Sequence, residues 1–243
     1  MRRPRSTQNR RRKAQQVSSN CAEQMEQRIL PAGIVKVAVK GNDLVVTGDR
    51  VSNSFIVEEH QGEVRVRKLF QTTEVVGGDT GIPAGQLGRL TINSKGGDDY
   101  VEVGLGLSVG GDLIVKQGGG DDLLDFKSAD GGTFVGGKTI IKTGGGDDQL
   151  YFDGVEFTGD VTAVMGGGND EVYVAEFNPI VEFQAKATIK LGGGNDSLFI
   201  DNSTVADWTM VSIDGGGGQD GINWAPSSLI GLGANVRKFE IDL

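Results

Sequence analysis

The chain has 243 residues, of which 40 are glycine and five are proline, against roughly 7% glycine in an average protein. Collagen is excluded, since it needs glycine in strict period with abundant proline. A helical bundle is excluded too, because each interior glycine weakens a helix. The formal charge is −9, and one cysteine (Cys21) with one histidine (His60) argues against a disulfide framework, a multi-cysteine zinc site or a histidine triad.

Residues 1–33 are expected to form a disordered basic arm. Within 1–30, eight Lys/Arg stand against Glu23 and Glu26, a net +6, so the other 213 residues carry −15. Composition changes at the same place, because no glycine precedes Gly33. A polar, Arg- and Gln-rich segment cannot bury enough apolar surface to fold. A secretory signal would need about 7–15 apolar residues behind the basic cluster, and Ala14 to Gln24 does not supply them. The arm ends in Met25-Glu26-Gln27-Arg28-Ile29-Leu30-Pro31-Ala32. This resembles the Leu-Glu-x-Arg-x-Leu-Leu-x-Ala motif near the start of many planctomycete proteins thought to be exported to the cell surface. Met25 replaces the first Leu, and Pro31 stands where many members have a second Leu or Ala. The resemblance implies an extracellular or cell-surface location; a single helical turn leading into the domain is the plainer reading. No apolar run is long enough to cross a membrane as a helix.

Residues 34–89 read as degenerate N-terminal turns or a cap. Leu44 and Val46 before Asn53, then Phe55 and Val57 after it, are apolar pairs spaced by two, the period of a half-buried strand. Glu63-Val64-Arg65-Val66-Arg67 alternates like an edge strand whose charged face meets solvent.

From 90 to 224 the same register recurs six times around glycine runs ending in aspartate. Those aspartates are Asp99, Asp122, Asp148, Asp170, Asp196 and Asp220, at intervals of 23, 26, 22, 26 and 24, a solenoid period. Nine and seven residues before each stand Leu90/Ile92, Leu113/Val115, Thr139/Ile141, Val161/Ala163, Ala187/Ile189 and Val211/Ile213. Two and four residues after stand Val101/Val103, Leu124/Phe126, Leu150/Phe152, Val172/Val174, Leu198/Ile200 and Ile222/Trp224. Each copy is therefore strand, glycine corner, strand, and a third apolar patch such as Val155–Phe157 or Val181–Phe183 follows. Three sides in about 24 residues predict an all-β parallel β-helix of about six to eight turns, whose core exists only through stacking. Residues 225–243 are expected to close it as a cap, with Phe239, Ile241 and Leu243 alternating as a last strand.

The corners resemble the calcium-binding nonapeptide of RTX (haemolysin-type) proteins, Gly-Gly-x-Gly-x-Asp-x-U-x with U large and apolar. Gly215 to Asn223 matches in full. The copies at Asp122, Asp148, Asp170 and Asp196 carry Gln117, Thr143, Met165 and Leu191 in place of the first glycine, and the copy at Asp99 has Ser94 and Lys95 in both leading slots. The motif comes once per turn instead of in tandem, so the resemblance holds corner by corner and implies no toxin activity. It implies several calcium ions, with Asp99, Asp121, Asp122, Asp147, Asp148, Asp170, Asp196 and Asp220 as ligands. Elementary electrostatics agrees: stacked carboxylates repel by about 1 kcal/mol per pair in water and more inside a protein, while calcium takes carboxylate and carbonyl oxygens. Plain turn chemistry is the competing reading, since Asp bonds readily to nearby backbone N–H groups.

For function, the pattern predicts a non-enzymatic exported or surface structural or adhesive protein, with calcium and extracellular polysaccharide or surface proteins as partners. A polysaccharide lyase or hydrolase on the same architecture is the alternative, but no non-repeated acid–base cluster stands out. Lys116, Lys142 and Lys190 recur six residues before the aspartate as an outward ladder. Tyr100, Tyr151, Tyr173 and Phe199 form an outward aromatic stripe read as cross-turn packing. The glycine runs lack the Gly-Lys-Ser/Thr ending of a phosphate loop, and an acidic body argues against nucleic acid.

Overall fold

A computed structural model describes residues 33–104, 106–127, 132–174, 181–200, 208–224 and 236–239. Apart from Gly33, the arm lies outside these residues, as do Ile241 and Leu243 of the expected last strand. Among the described residues no helix is long and apolar enough to cross a membrane.

The chain enters through β1 (Gly33–Lys40) and β2 (Asp43–Thr47), an antiparallel pair. Next come β3 (Ser54–His60) and β4 (Glu63–Lys68), also antiparallel. Gln61 and Gly62 join them with φ of 53° and 84°, the double left-handed turn that matches strand twist. β5 (Thr73–Val76) then pairs with β1, and β6 (Asp79–Pro83) pairs with β4. The 46 residues between Asn53 and Asp99 are therefore one turn with an insertion, and the insertion caps the N-terminal end. β4 is not an edge, because β6 covers it.

Beyond the cap the turns are parallel. Strands before the glycine corners are β7 (Leu90–Asn93), then β10 (Leu113–Gly119), β13 (Thr139–Gly145), β16 (Val161–Gly167), β19 (Ala187–Gly193) and β21 (Val211–Gly217). Strands after the corners are β8 (Tyr100–Gly104), β11 (Leu123–Lys127), β14 (Gln149–Phe152), β17 (Glu171–Val174), β20 (Ser197–Ile200) and β22 (Gly221–Trp224). The third side is β9 (Ser108–Val109), β12 (Thr133–Val135), β15 (Val155–Phe157) and β18 (Val181–Phe183), and β23 (Val236–Arg237) closes the first sheet. Three sheets result, of ten, nine and four strands. Four turns thus have all three sides among the described residues, fewer than the six to eight expected. After β20 and β22 the stretches that would supply a third side lie outside the described residues.

The register is the one the spacing predicts. Leu113 sits over Leu90 and under Thr139, and Leu124 sits over Val101 and under Leu150. Leu44, Val46, Phe55 and Val57 pair with Leu90, Ile92, Val101 and Val103, so the degenerate copy stacks with the rest. These inward residues are buried, and outward neighbours alternate with them. Phe126 stacks on Phe152 at 5.6 Å, while Phe157 meets both edge-on from the third sheet. Hydrophobic burial at these layers is what holds successive turns together.

A double ladder of side chains at the glycine corners

The corner is tight because two of its three glycines have backbone conformations closed to other residues. Gly118 and Gly120 have φ of 124° and 126°. A Cβ on Gly118 would stand 1.7 Å from the Lys95 carbonyl oxygen, and one on Gly120 would stand 2.5 Å from that of Gly97. The same closeness recurs at the next corner, where the Gly118 carbonyl oxygen lies 1.8 Å from the Cβ position of Gly144. The carbonyls of one corner are thus packed against the glycines of the following turn. The middle glycine differs: a Cβ on Gly119 would have its nearest neighbour at 3.7 Å.

After the corner the two predicted acid positions part company. The last aspartates point inward and are buried, Asp148 and Asp170 completely. Each accepts the backbone N–H of its counterpart one turn earlier. Asp99 N–H donates to Asp122 Oδ1 at 2.8 Å, Asp122 N–H to Asp148 Oδ1 at 2.9 Å, and Asp148 N–H to Asp170 Oδ1 at 2.9 Å. The column continues through Asp196 to Asp220, and begins at Asn53, whose N–H donates to Asp99 Oδ1 at 2.7 Å. Asp121 and Asp147 stand instead in an exposed outer column running the opposite way. Asp121 N–H donates to Asp98 Oδ1 at 3.0 Å, Asp147 N–H to Asp121 Oδ1 at 2.9 Å, and Asn169 N–H to Asp147 Oδ1 at 2.7 Å. The eight predicted ligands therefore form one buried set of six and an exposed pair.

This outer arrangement explains its drift from Asp to Asn. Each outer side chain accepts the backbone N–H of its counterpart one turn later, which an amide oxygen can also do, and Asn169 Oδ1 does so for Asn195 N–H at 2.9 Å. The inner column does the same with Oδ1, but its second oxygen is a different matter. Oδ2 of Asp99, Asp122, Asp148, Asp170 and Asp196 is buried without a hydrogen-bond partner. Desolvation consequently raises these carboxyls, Asp99 to about 6, Asp122 to about 8 and Asp170 to about 7, with Asp148 and Asp196 raised as well. Neighbouring carboxylates add to the rise at Asp122 and Asp170, while the backbone N–H bonds oppose it.

Five residues before each inner aspartate, and on the same inner corner, lies a position whose part was not legible in the sequence. There Ser94, Gln117, Thr143, Met165 and Leu191 are fully buried, occupying the slot that the nonapeptide gives to its first glycine. Thr143 Oγ1 donates to the Met165 carbonyl at 2.8 Å, and Gln117 Nε2 to the Leu123 carbonyl at 3.1 Å. Gln117 Oε1 and Ser94 Oγ are buried and unpartnered, like the carboxylate oxygens beside them. Such orphaned, oxygen-only and partly anionic surroundings suit a hard cation such as calcium. Among the described residues, no three of His, Cys, Asp and Glu converge on one point, so any ion would need oxygens from other groups too.

Outside the column, the second sheet carries a cluster that the sequence did not reveal. Lys127 Nζ donates to Glu102 Oε1 and lies 3.4 Å from Asp125 Oδ2. The Tyr100 hydroxyl donates to Glu102 and accepts from Lys127 Nζ at 3.0 Å. Burial holds the Asp125 carboxyl up at about 6, against the opposing pull of Lys127. Glu102 and Asp125 share the slot three residues after the aspartate and stack in register, while Tyr100 and Lys127 stand one and five residues after it. Later turns fill the shared slot with Tyr151, Tyr173 and Phe199, so no repeat marks the cluster. Tyr100 belongs here and not to the aromatic stripe. That stripe is Tyr151, Tyr173 and Phe199, stacked at 4.4 and 4.6 Å with rings nearly parallel. Its ring faces are used on one another, as cross-turn packing requires. The lysine slots stack in register, Lys116 on Lys142, with Val164 interrupting before Lys190.

No protein-family model matches the chain, and neither a curated protein nor a solved structure matches it.

Proposed function

We propose that the chain is a non-enzymatic solenoid of structural or adhesive role, located outside the cell or at its surface, whose Gly-Asp corners bind calcium. One observation carries this reading: in five turns an oxygen of the inner aspartate is buried without a hydrogen-bond partner. The outer column sharpens it by contrast. Asparagine would accept the same N–H in the inner column, yet the inner slot is Asp in all six regular corners. A retained acid fits a cation at Oδ2, where an amide NH₂ would repel it. The exterior setting is supported by the Met25–Ala32 segment's resemblance to an export motif. Extracellular polysaccharide or surface proteins would meet the long outer faces.

The test compares melting and far-ultraviolet circular dichroism in chelator and in calcium. Metal bound only by stacked turns stabilises them by linkage, about 2.7 kcal/mol at a hundredfold excess over Kd. An unchanged melting temperature refutes the reading. A carbohydrate-active enzyme is the second reading, favoured by the Tyr100, Glu102, Asp125 and Lys127 cluster. Release of unsaturated or reducing sugars from acidic polysaccharides, abolished in Lys127→Ala, would establish it.

A further inference from the structure

The inner column is not uniform, and its differences lie in the side chains that back it. At Asp170 and Asp196 the backing residues are Met165 and Leu191, both fully buried, and neither supplies an oxygen. At Asp148 the backing hydroxyl of Thr143 is already engaged with the Met165 carbonyl. Among the described residues, only the first two regular corners combine inner carboxylates with backing side-chain oxygens that have no hydrogen-bond partner. Asp99 Oδ2, Asp122 Oδ2, Ser94 Oγ and Gln117 Oε1 are all buried and all without a hydrogen-bond partner. The Gln117 amide is held in place by its Nε2 bond to the Leu123 carbonyl, leaving Oε1 free. The Ser94 hydroxyl lies close to the Asp99 carboxyl. Because the two turns are adjacent in register, Ser94 and Asp99 hold the same places as Gln117 and Asp122, about one strand spacing away.

We propose that the gap between the first two regular turns, lined by Ser94, Asp99, Gln117 and Asp122, is a single internal calcium site, and that the Asp170 and Asp196 corners take no ion. The inference rests on the calcium reading above and narrows it to one place in the column. Two carboxylates balance the charge of one divalent ion. Calcium accepts neutral side-chain oxygens alongside carboxylates in irregular geometry, and filling the gap gives each of the four orphaned oxygens a partner. Position five before the aspartate thus decides occupancy: an oxygen without a partner in the protein admits the ion, whereas an engaged hydroxyl, a thioether or an isobutyl group does not.

Calorimetric titration of the full chain with calcium tests this, with circular dichroism confirming that each variant folds. Wild type should bind close to one ion. Asp196→Asn should keep that stoichiometry and affinity, and Asp122→Asn should lose at least tenfold in affinity. Gln117→Met leaves every carboxylate in place and copies the residue that Met165 already supplies two turns on. It should also lose at least tenfold. If Asp196→Asn weakens binding as much as Asp122→Asn, or Gln117→Met leaves it unchanged, ions occupy the corners generally. In that event the confined site is overturned and the calcium reading stands. If wild type shows no calcium heat and no calcium-dependent melting, both fall.

Discussion

Replacing one glycine of a single corner with alanine, and then its neighbour, tests the corner most directly. At Gly144 the backbone φ is 132°, and a Cβ would stand 1.8 Å from the Gly118 carbonyl oxygen, with its carbon at 2.7 Å. Holding a non-glycine residue in such a conformation costs about 1–3 kcal/mol. The clash is with backbone, so relief requires the two turns to separate, and overpacking of this kind costs about another 1–3 kcal/mol. Gly144→Ala should therefore destabilise by about 3 kcal/mol or more, read as a fall in the urea midpoint of about 1 M for a slope near 3 kcal/mol/M. Gly145, one residue on, has no positive φ and its nearest neighbour to a Cβ is at 3.8 Å. Gly145→Ala should be neutral or stabilising by up to about 1 kcal/mol, because alanine restricts the unfolded chain. Equal effects at the two positions would refute the described corner.

Other consequences can be checked in the same way. In chelator, the inner carboxyls make stability depend on pH. Asp170 is raised from 3.8 to about 7 when folded, so stability is greatest below pH 4, falls as pH rises towards 7 and then levels. Asp170→Asn keeps an oxygen for the Asp148 N–H and should remove its share of that slope, up to about 1.4 kcal/mol per pH unit; an unaltered slope in denaturation across this range contradicts the burial argument. In the outer column, Asp147→Asn should change the unfolding free energy by no more than about 0.5 kcal/mol, since Asn accepts the same Asn169 N–H. Phe152→Ala removes a ring packed 5.6 to 5.9 Å from Phe126, Phe157 and Phe183 and should cost about 3–5 kcal/mol by the same assay. Lys127→Met removes the half-exposed cation from the buried Glu102 carboxylate, which keeps the Tyr100 hydroxyl, and should cost about 1–3 kcal/mol, much of it recovered in the double variant with Glu102→Gln.

Most of the frame was legible because a solenoid writes its fold as a period. The paired apolar slots around each aspartate alternate with period two and repeat at about 24 residues, and inward-facing strands stacked at one strand spacing satisfy both periods together. Leu44, Val46, Asn53, Phe55 and Val57 could be placed in that frame without a glycine run, since register depends on inward side chains and not on the corner. The excess of glycine was likewise legible as a corner. What a period does not encode is where a chain leaves it: β4 pairs antiparallel with β3 and β6, and β5 lies parallel to β1, through contacts that belong to no repeat.

At the site the division is sharper. The aspartate column was visible in the residues, and so was the drift of the slot before it from Asp to Asn and Gln, but Asp121 and Asp147 were still counted with the column as ligands. Stacking separates them, because consecutive residues of an extended chain face opposite ways, so Asp122 is buried while Asp121 meets water. The significance of Ser94, Gln117, Thr143, Met165 and Leu191 arises likewise only when one turn lies on another. The same holds for the meeting of Tyr100 and Glu102 with Asp125 and Lys127. Sequence alone established the parallel β-helix, its register and the recurring carboxylates, all properties of one strand and its period. Which oxygens lose water and are left without a partner was decided by the tertiary structure, since desolvation depends on what the neighbouring turn places above and below.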